Sequence, residues 1–399
     1  MFSGSIVTVI FVLFGVGMIG LVFALRGRSS GTRESFYVAD RRVGVFSGAL
    51  SLAVTWVWAP ALFVASSIAY DLGVHGALWF IVPNIACFFI FAPLAMRFRK
   101  LVPNGYTLPG FFASKFPRDK RIQVAFSATT ILFAMAAVVE NLVAISKLYA
   151  FYTGSPGWIA IVAMTIIALA YSILSGLRAS VVTDVFQMLL VVVVGIVLVP
   201  WCISASSGDA AISDAVFSGV ASDTTWLAIA FAPGLSLLFG LVGGPLGDQM
   251  FFQRAMAVRQ TDIKKTLYWA GAAFAIVPIT LSVFGFWGNA LGGNIEVADS
   301  ELVGAIILQK YLPWGASLLF FVMMLCGLSS TLDSAFCAGS SVGGSDILRR
   351  LLPNMKERRE VNLSRLFMVA MGIIGAGLAA LSRDIWFVFM TDASIAAAG

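Results

Sequence analysis

The sequence has little charge and almost no histidine. Of its 399 residues, 12% are charged and a single one is histidine, whereas 59% are hydrophobic. The mean hydropathy is +0.94. A water-soluble fold cannot bury this much apolar surface. We therefore expect an all-α polytopic membrane protein that sits in a lipid bilayer.

Sequence signals for enzymatic chemistry are also missing. The four cysteines lie in apolar stretches, which favours buried thiols over a disulfide or metal framework. The chain contains no Walker loop, no His-rich metal motif and no nucleophile elbow. Its glycine-rich run at residues 240–247 lacks the Gly-x-Gly-x-x-Gly spacing. We expect no enzymatic activity and no nucleic-acid partner, and the sequence leaves protein partners open.

Long apolar runs are what the sequence does have. By the length rule for helical spans, they lie at residues 6–25, 45–68, 76–96, 124–145, 158–175, 181–203, 226–246, 267–291, 316–342 and 366–381. An eleventh run starts near residue 385, and we expect this last helix to be incomplete. The first run lacks the basic start and cleavage site of a signal peptide, which predicts a retained extra helix. Residues 1–399 thus form one predicted membrane domain.

The basic residues indicate an orientation. If the N-terminus is outside, the inward loops are residues 26–44, 97–121, 176–178, 248–265 and 345–365, and they hold 23 of the 26 Lys and Arg residues. The outward loop at residues 204–225 carries three aspartates and no basic residue. Under the positive-inside rule this pattern predicts a multi-pass plasma-membrane protein, most simply of a bacterial inner membrane, with the N-terminus outside.

Two of the runs are interrupted. One carries Val54-Thr-Trp-Val-Trp-Ala-Pro60 and the other Gly240-Leu-Val-Gly-Gly-Pro245. If the first helix is set aside, they are spans one and six, so they occupy the same place in two groups of five. Because five is odd, the groups have opposite orientations, as in an inverted repeat with binding at its broken helices. The first repeat would cover residues 45–203 and the second, incomplete, residues 226–399; two ordinary proline kinks are the alternative.

Two aspartates lie inside apolar runs, where an acidic residue is by default a functional hypothesis. Asp333 shares its run with the hydroxyls of Ser330, Thr331 and Ser334, whose small face alternatively serves close helix packing. Asp184 lies about two helical turns from Arg178, and an ion pair with that residue is its alternative interpretation. At comparable depths, Asp184 and Asp333 could hold one cation or share a proton.

Other polar or aromatic residues are candidates for a solute pocket. Trp56 and Trp58 flank the first interruption, where freed carbonyls and indole faces can line a site. Glu140 and Asn141 form a polar pair inside a span, with a salt bridge from Glu140 towards Lys147 as the alternative. Further candidates are Asn84, Phe239 and Gly243.

Five segments together resemble the sodium/solute symporter family. They are Phe36-Tyr-Val-Ala-Asp-Arg-Arg-Val-Gly44, Thr107-Leu-Pro109, residues 176–187, residues 248–259 and Ser330-Thr-Leu-Asp-Ser334. Residues 176–187 resemble the sequence signature of the family's fifth helix. The five segments occur in order and on the expected spans, from Phe36 nearly to the end of the chain. The resemblance implies the leucine-transporter fold with an added N-terminal helix, and solute transport driven by a sodium gradient.

The resemblance also implies ion sites. In such proteins the principal sodium site uses carbonyls of the broken first helix and oxygens of the eighth, which here are Val54 and Val57, then Gly327, Ser330 and Thr331. Some members hold a second sodium, for which the matching residues are Asp184, Ser330, Asp333 and Ser334. Na+ is therefore the expected coupling ion.

The solute is indicated less sharply. The Asp-Gln…Gln-Arg run at 248–259, followed by Phe274-Ala-Ile-Val-Pro278, looks closest to the urea-transporting branch and to transporter-like sensor domains. Trp56 departs from the amino-acid-transporting pattern. We expect a small polar organic solute, with a sensor domain or a proton-coupled transporter as the alternatives.

Overall fold

The computed structural model describes residues 4–25, 31–205, 227–291 and 297–382, together with residues 385, 388 and 391. The predicted acidic loop at 204–225 and the predicted run from residue 385 fall almost wholly outside this set. Within the described residues the chain is helical, and its only β-pairing is an isolated bridge between Val43 and Val258.

Fourteen helices are used below. They are α1 Gly4–Leu25, α2 Arg33–Val38, α3 Val45–Thr55, α4 Ala65–Leu101, α5 Leu108–Lys115, α6 Lys120–Thr153, α7 Trp158–Ser175, α8 Leu177–Ala205, α9 Leu235–Gly247, α10 Gln249–Ala257, α11 Ile263–Leu291, α12 Val303–Tyr311, α13 Trp314–Val342 and α14 Glu357–Leu381. Single π-helical segments precede α4 (Pro60–Val64) and α9 (Ala230–Gly234), and another, Gly343–Leu348, extends α13 to the short turn Arg349–Leu351. Short 3-10 turns lie at Ala39–Arg41, Gln260–Asp262 and Ser300–Leu302.

Among the described residues, eight helices are long and apolar enough to cross a membrane, and a ninth span is a bent pair. This confirms the predicted all-α polytopic class. Helix α7 has the predicted bounds. Helices α6 and α14 are several residues longer than predicted, because they include charged residues at their ends. Periodicity in apolar residues detects the part of a helix that lipid covers, so polar turns at its ends escape it.

The predicted gap between runs 45–68 and 76–96 is not a loop. Pro60–Leu101 forms one 42-residue helical stretch, interrupted only by the backbone of Gly73 at φ 61° and ψ −152°. A residue with a Cβ atom rarely adopts such a conformation, so glycine permits the change of direction there.

The second interruption lies elsewhere than predicted. We expected it at Gly240–Pro245, but α9 continues through Pro245 to Gly247 and the bend of 49° to α10 falls at Asp248. Membrane helices tolerate an internal proline when neighbouring groups satisfy the freed carbonyl. The real signal is Asp248, whose carboxylate accepts the backbone N–H of Met250 at 2.6 Å and so caps a new helix.

That correction also removes part of a predicted loop. Residues 248–265 were expected to face the inner solution, but every residue of α10 is buried. The bent pair α9–α10 is therefore the counterpart of α3 and the helix that follows it. Each predicted repeat begins with a broken helix.

Helix α13 forms the centre of the molecule. In its most apolar window, 78% of the residues are buried, a larger share than in any other described span. It packs against α6 and α8, while α3 packs against α8 and α11. By contrast α1 contacts mainly α7 and α8 at the periphery. The interrupted helix α3 and the polar face of α13 thus meet inside the bundle.

Candidate functional site

The break after α3 places carbonyl groups in the protein interior. The chain leaves the helix at residues 56–58, and Pro60 opens the next helical segment. Proline has no N–H, and in a continuous helix its ring would clash with the carbonyl of Trp56. Because the helical hydrogen-bond pattern is interrupted here, the carbonyls of Thr55 and Val57 lie within reach of the Thr331 hydroxyl inside a buried segment.

The Thr331 cluster lies beside this break. We define it as the Thr331 hydroxyl with the carbonyls of Thr55, Val57 and Gly327, which lie 3.2, 3.3 and 3.4 Å from the hydroxyl oxygen. One hydroxyl carries one hydrogen, so it donates to one of three nearby acceptors at a time. The cluster is therefore rich in oxygen lone pairs, the environment that a small hard cation needs.

Absence of a side chain at Gly327 allows this approach. A Cβ atom there would lie 3.2 Å from the Val57 carbonyl oxygen and 2.8 Å from Leu62 Cδ1. Both distances are shorter than normal van der Waals contact. Glycine therefore lets α13 contact the broken span closely enough for the oxygens to converge.

The structure gathers three of the five residues predicted for a principal sodium site, namely Val57, Gly327 and Thr331. The Val54 carbonyl accepts the backbone N–H of Val57 at 3.0 Å. The Ser330 hydroxyl donates to Asp184 at 2.5 Å. The Thr55 carbonyl takes part instead, a contribution that the sequence did not indicate.

A second group, the Asp184 cluster, lies on the same face of α13. We define it as Ser51 of α3, Ser180 and Asp184 of α8, Arg254 of α10, and Ser330, Asp333 and Ser334 of α13. The Asp184 carboxylate accepts the hydroxyls of Ser51 at 2.6 Å and Ser330 at 2.5 Å. Ser180 donates to Asp333 at 2.6 Å. The structure thus places Asp184, Asp333 and Ser334, the candidates for a second cation or proton site, in one cluster.

Arg254 supplies the positive charge of this cluster. Its Nη2 lies 2.9 Å from the Asp184 carboxylate, 2.8 Å from Ser180 Oγ and 2.5 Å from Ser334 Oγ. Its Nε donates to Ser51 Oγ at 2.9 Å. The side chain is 1% exposed. Sequence reasoning missed this residue by counting it among loop charges; the Asp248 cap before an apolar-rich segment was the signal.

Both basic residues of the alternative ion pairs have other acidic partners. Arg178 pairs with Asp40 at 3.1 Å rather than with Asp184. Lys147 pairs with Asp299 at 2.8 Å and also contacts the Glu301 carboxylate, rather than reaching towards Glu140. The interpretation of Asp184 as an interfacial partner of Arg178 is therefore wrong.

Aromatic rings surround the break on another side. Trp56 stacks on Trp58 with ring centroids 4.8 Å apart and meets Phe251 edge-on at 4.9 Å. Its indole N–H donates to the Asn84 side chain at 2.8 Å. Gly244 of α9 fits against the same indole, since a Cβ there would lie 3.0 Å from Trp56 Cη2. The two broken helices therefore meet at Trp56.

The remaining predicted pocket residues divide into two groups. Asn141 accepts the backbone N–H of Ala59 at 3.2 Å, and its neighbour Glu140 is completely buried. Phe239 does not fit the prediction of a buried pocket residue, because 68% of it is exposed. Gly243 borders open space, and Gly244 makes the contact with Trp56 instead.

Solved structures share this architecture. A sodium-coupled sialic acid symporter in a substrate-bound outward-open state matches with a TM-score of 0.78 and 16% identity, covering 97% of this chain and 85% of that one. The nucleobase-cation-symport-1 transporter Mhp1 with bromovinylhydantoin and MhsT with L-phenylalanine give TM-scores of 0.54 and 0.56, both at 14% identity. They cover 87% and 88% of this chain, and 74% and 85% of their own. The fold is of the leucine-transporter type.

Comparison with known sequences also finds transporters. The sodium-dependent multivitamin transporter of Oryctolagus cuniculus is 27% identical over 404 residues, covering 94% of this chain. The chain spans 61% of the length of that curated relative. The sequence profile of the sodium:solute symporter family matches residues 36–398, which is nearly the whole chain. The chain belongs to the sodium:solute symporter family.

Proposed function

We propose that this protein is a sodium-coupled secondary active symporter that imports a small polar organic solute by alternating access. The observation that carries the proposal is the Thr331 cluster, in which one hydroxyl and three carbonyls from two elements converge at a helix break. Family membership supports it.

The donor set of the Thr331 cluster suits Na+. All four groups are neutral oxygens, and three are carbonyls whose lone pairs face the Thr331 hydroxyl. Unwound helix carbonyls are a recurrent way of binding sodium in transporters. We assign Thr55, Val57, Gly327 and Thr331 as ligands. Val54 and Ser330 stay predictions, since a hydrogen bond engages each of them.

The location of the proposed ligands on two different elements explains how sodium would act on conformation. The ligands come from the break after α3 and from α13, so a bound cation holds these two elements together. An ion shifts a conformational equilibrium only through its different affinity for the two states. Sodium would thus stabilise the state in which the break lies against α13, and solute binding is coupled to it by reciprocity.

For the solute we propose a site beside Trp56 and Trp58, with Asn84, Glu140 and Asn141 as its polar groups. Indole faces accept flat or apolar parts of a solute, while the amides and the carboxylate orient its polar atoms. The resemblance to the urea-transporting branch stays a prediction. Vitamins and sialic acid, carried by the relatives above, join urea, amino acids and small carboxylates as compounds to test.

In the membrane we propose the orientation that the basic residues indicate, with the N-terminus outside and the connections carrying α2 and α5 inside. The plasma membrane, and a bacterial inner membrane in particular, is the proposed location. Arg254 no longer counts as a loop charge, and its removal leaves the asymmetry of the remaining basic residues intact.

A thermal-stability titration tests the proposal. Purified protein in detergent is melted in NaCl and in choline chloride at equal ionic strength. We expect a sodium-specific rise in Tm that Thr331→Val abolishes and Thr331→Ser keeps. Thr165→Val is the matched control, since it removes a buried hydroxyl that bonds within its own helix at 2.7 Å. Identical Tm values for folded wild type in the two salts, with stabilisation by low pH instead, would favour proton coupling.

A further inference from the structure

The Asp184 cluster has the composition expected of a cation site. Oxygen atoms come from three helices, α3, α8 and α13, and two of the groups are carboxylates, Asp184 and Asp333. All six oxygen-bearing side chains are completely buried. Carboxylates in such a place need a positive partner.

That partner is already present in the chain. Arg254 Nη2 lies 2.5–2.9 Å from three oxygens that belong to Ser180, Asp184 and Ser334. A single nitrogen thus contacts oxygens of two helices, α8 and α13, at once. Its Nε adds a third helix through Ser51 at 2.9 Å. The guanidinium occupies the centre of the cluster as a bound cation would.

The charge on this group is permanent, because arginine does not lose its proton in proteins. A second cation among the same oxygens would lie within a few ångströms of the guanidinium in a buried, low-dielectric environment. Repulsion between like charges is strong under those conditions. Four of the six groups, those of Ser51, Ser180, Asp184 and Ser334, are therefore already engaged by a permanent cation that belongs to the chain itself.

We propose that Arg254 is the resident cation of the Asp184 cluster and replaces a transported ion there. Resting on the proposed function, this inference makes the Thr331 cluster the single sodium site, so each transport cycle carries one sodium ion. The tethered guanidinium also fixes α10 to α3, α8 and α13, which a mobile ion does only while bound.

The test counts sodium ions bound per chain with 22Na+ in equilibrium binding to purified protein. Wild type is expected to bind one ion, and Thr331→Val is expected to bind none. Arg254→Gln should bind one more than wild type because it frees the oxygens, and adding Asp184→Asn should remove the extra ion. Arg254→Lys keeps a tethered cation and should therefore bind one ion, the same count as wild type.

Two outcomes would overturn the inference: wild type that binds two ions, one of which Asp184→Asn removes, or folded Arg254→Gln with no additional ion. If Arg254→Gln does not fold, the wild-type count and its change in Asp184→Asn decide the matter alone. The proposed function fails separately, when Thr331→Val does not change the count. An Arg254→Gln protein that gains an ion lost with Asp184→Asn supports Arg254 as the resident cation of the Asp184 cluster even then.

Discussion

Nη2 of Arg254 lies 2.9 Å from the carboxylate of Asp184, and the two side chains are 1% and 0% exposed. The pair joins a nine-residue half-helix, α10, to the long helix α8. Hydroxyls from α3 and α13 complete it. Breaking one partner would leave a buried charge uncompensated.

The first prediction concerns this pair. Arg254→Ala is expected to lower the free energy of unfolding by about 3–5 kcal/mol, because the Asp184 carboxylate is then buried without its cation. Arg178→Ala is the control: its pair with Asp40 is 35% and 31% exposed, so about 0–1 kcal/mol is expected. Thermal unfolding in detergent gives the comparison. Equal decreases in Tm would show that the buried pair adds no stability of its own.

A second prediction uses glycines of one helix, α13. Gly327→Ala places a Cβ 2.8 Å from Leu62 and 3.1 Å from the Val57 side chain, so the broken span must move away. We expect a cost of about 1–3 kcal/mol in stability and a several-fold higher sodium concentration for half-maximal Tm shift. At Gly315 a Cβ would meet no heavy atom within 4 Å.

Gly315→Ala therefore serves as the matched variant, and we expect it to leave the sodium dependence unchanged. Because alanine favours a helix over glycine by about 0.5–1 kcal/mol, its Tm should stay level or rise. Equal sodium dependence in the two alanine variants would contradict the assignment of Val57 and Gly327 as ligands.

Some of this site was predictable from the sequence. Pro60 marks the first break because its chemistry prevents a continuous helix there. Asp184 and Asp333 were expected at comparable depth, and the Ser180 hydroxyl oxygen lies 3.3 Å from the first carboxylate and 2.6 Å from the second. These inferences used local chemistry and helical periodicity, which do not depend on the partner that a segment packs against.

Arg254 was not predictable in the same way. Helix α10 has nine residues, and its polar residues Gln249, Gln253 and Arg254 resemble those of a solvent loop. Their burial follows from tertiary bonds: Gln249 accepts the N–H of Leu108 at 2.8 Å and Gln253 donates to the Tyr37 carbonyl at 2.8 Å. These partners lie 141 and 216 residues away in the sequence, so a short-range sequence pattern does not predict the contacts.

The third prediction concerns the indole of Trp56. Asn84→Leu removes the acceptor that lies 2.8 Å from its N–H, which leaves a buried donor unpaired and should cost about 1–3 kcal/mol. Trp56→Phe removes the donor, so the double variant should lose less than the sum of the single variants. A double-mutant cycle by thermal unfolding should give a coupling of about 0.5–3 kcal/mol. Additive losses would mean that the bond contributes nothing.

The fourth prediction concerns Tyr37 of α2, which contacts both α14 and α10 at the end of the bundle that we propose faces inwards. Its hydroxyl lies 2.7 Å from Ser364 and 3.3 Å from Glu360, both on α14, and its carbonyl accepts the Gln253 side chain of α10. Tyr37→Phe removes the hydroxyl and weakens the contact that holds α14 against α2. We expect the inward-open population to rise about fivefold, corresponding to about 1 kcal/mol for one hydrogen bond.

Native Cys337 reports this opening. It is 1% exposed and lies on α13, against which α14 packs, so it becomes reactive when α14 moves away. Maleimide labelling of Cys337, taken as the difference from Cys337→Ala, should be about five times faster in Tyr37→Phe. Tyr268→Phe, which removes a hydroxyl from a 42% exposed side chain, should label as wild type. Sodium should slow labelling in both proteins, since it favours the closed inner end; sodium-independent labelling would mean that the ion does not bias this conformation.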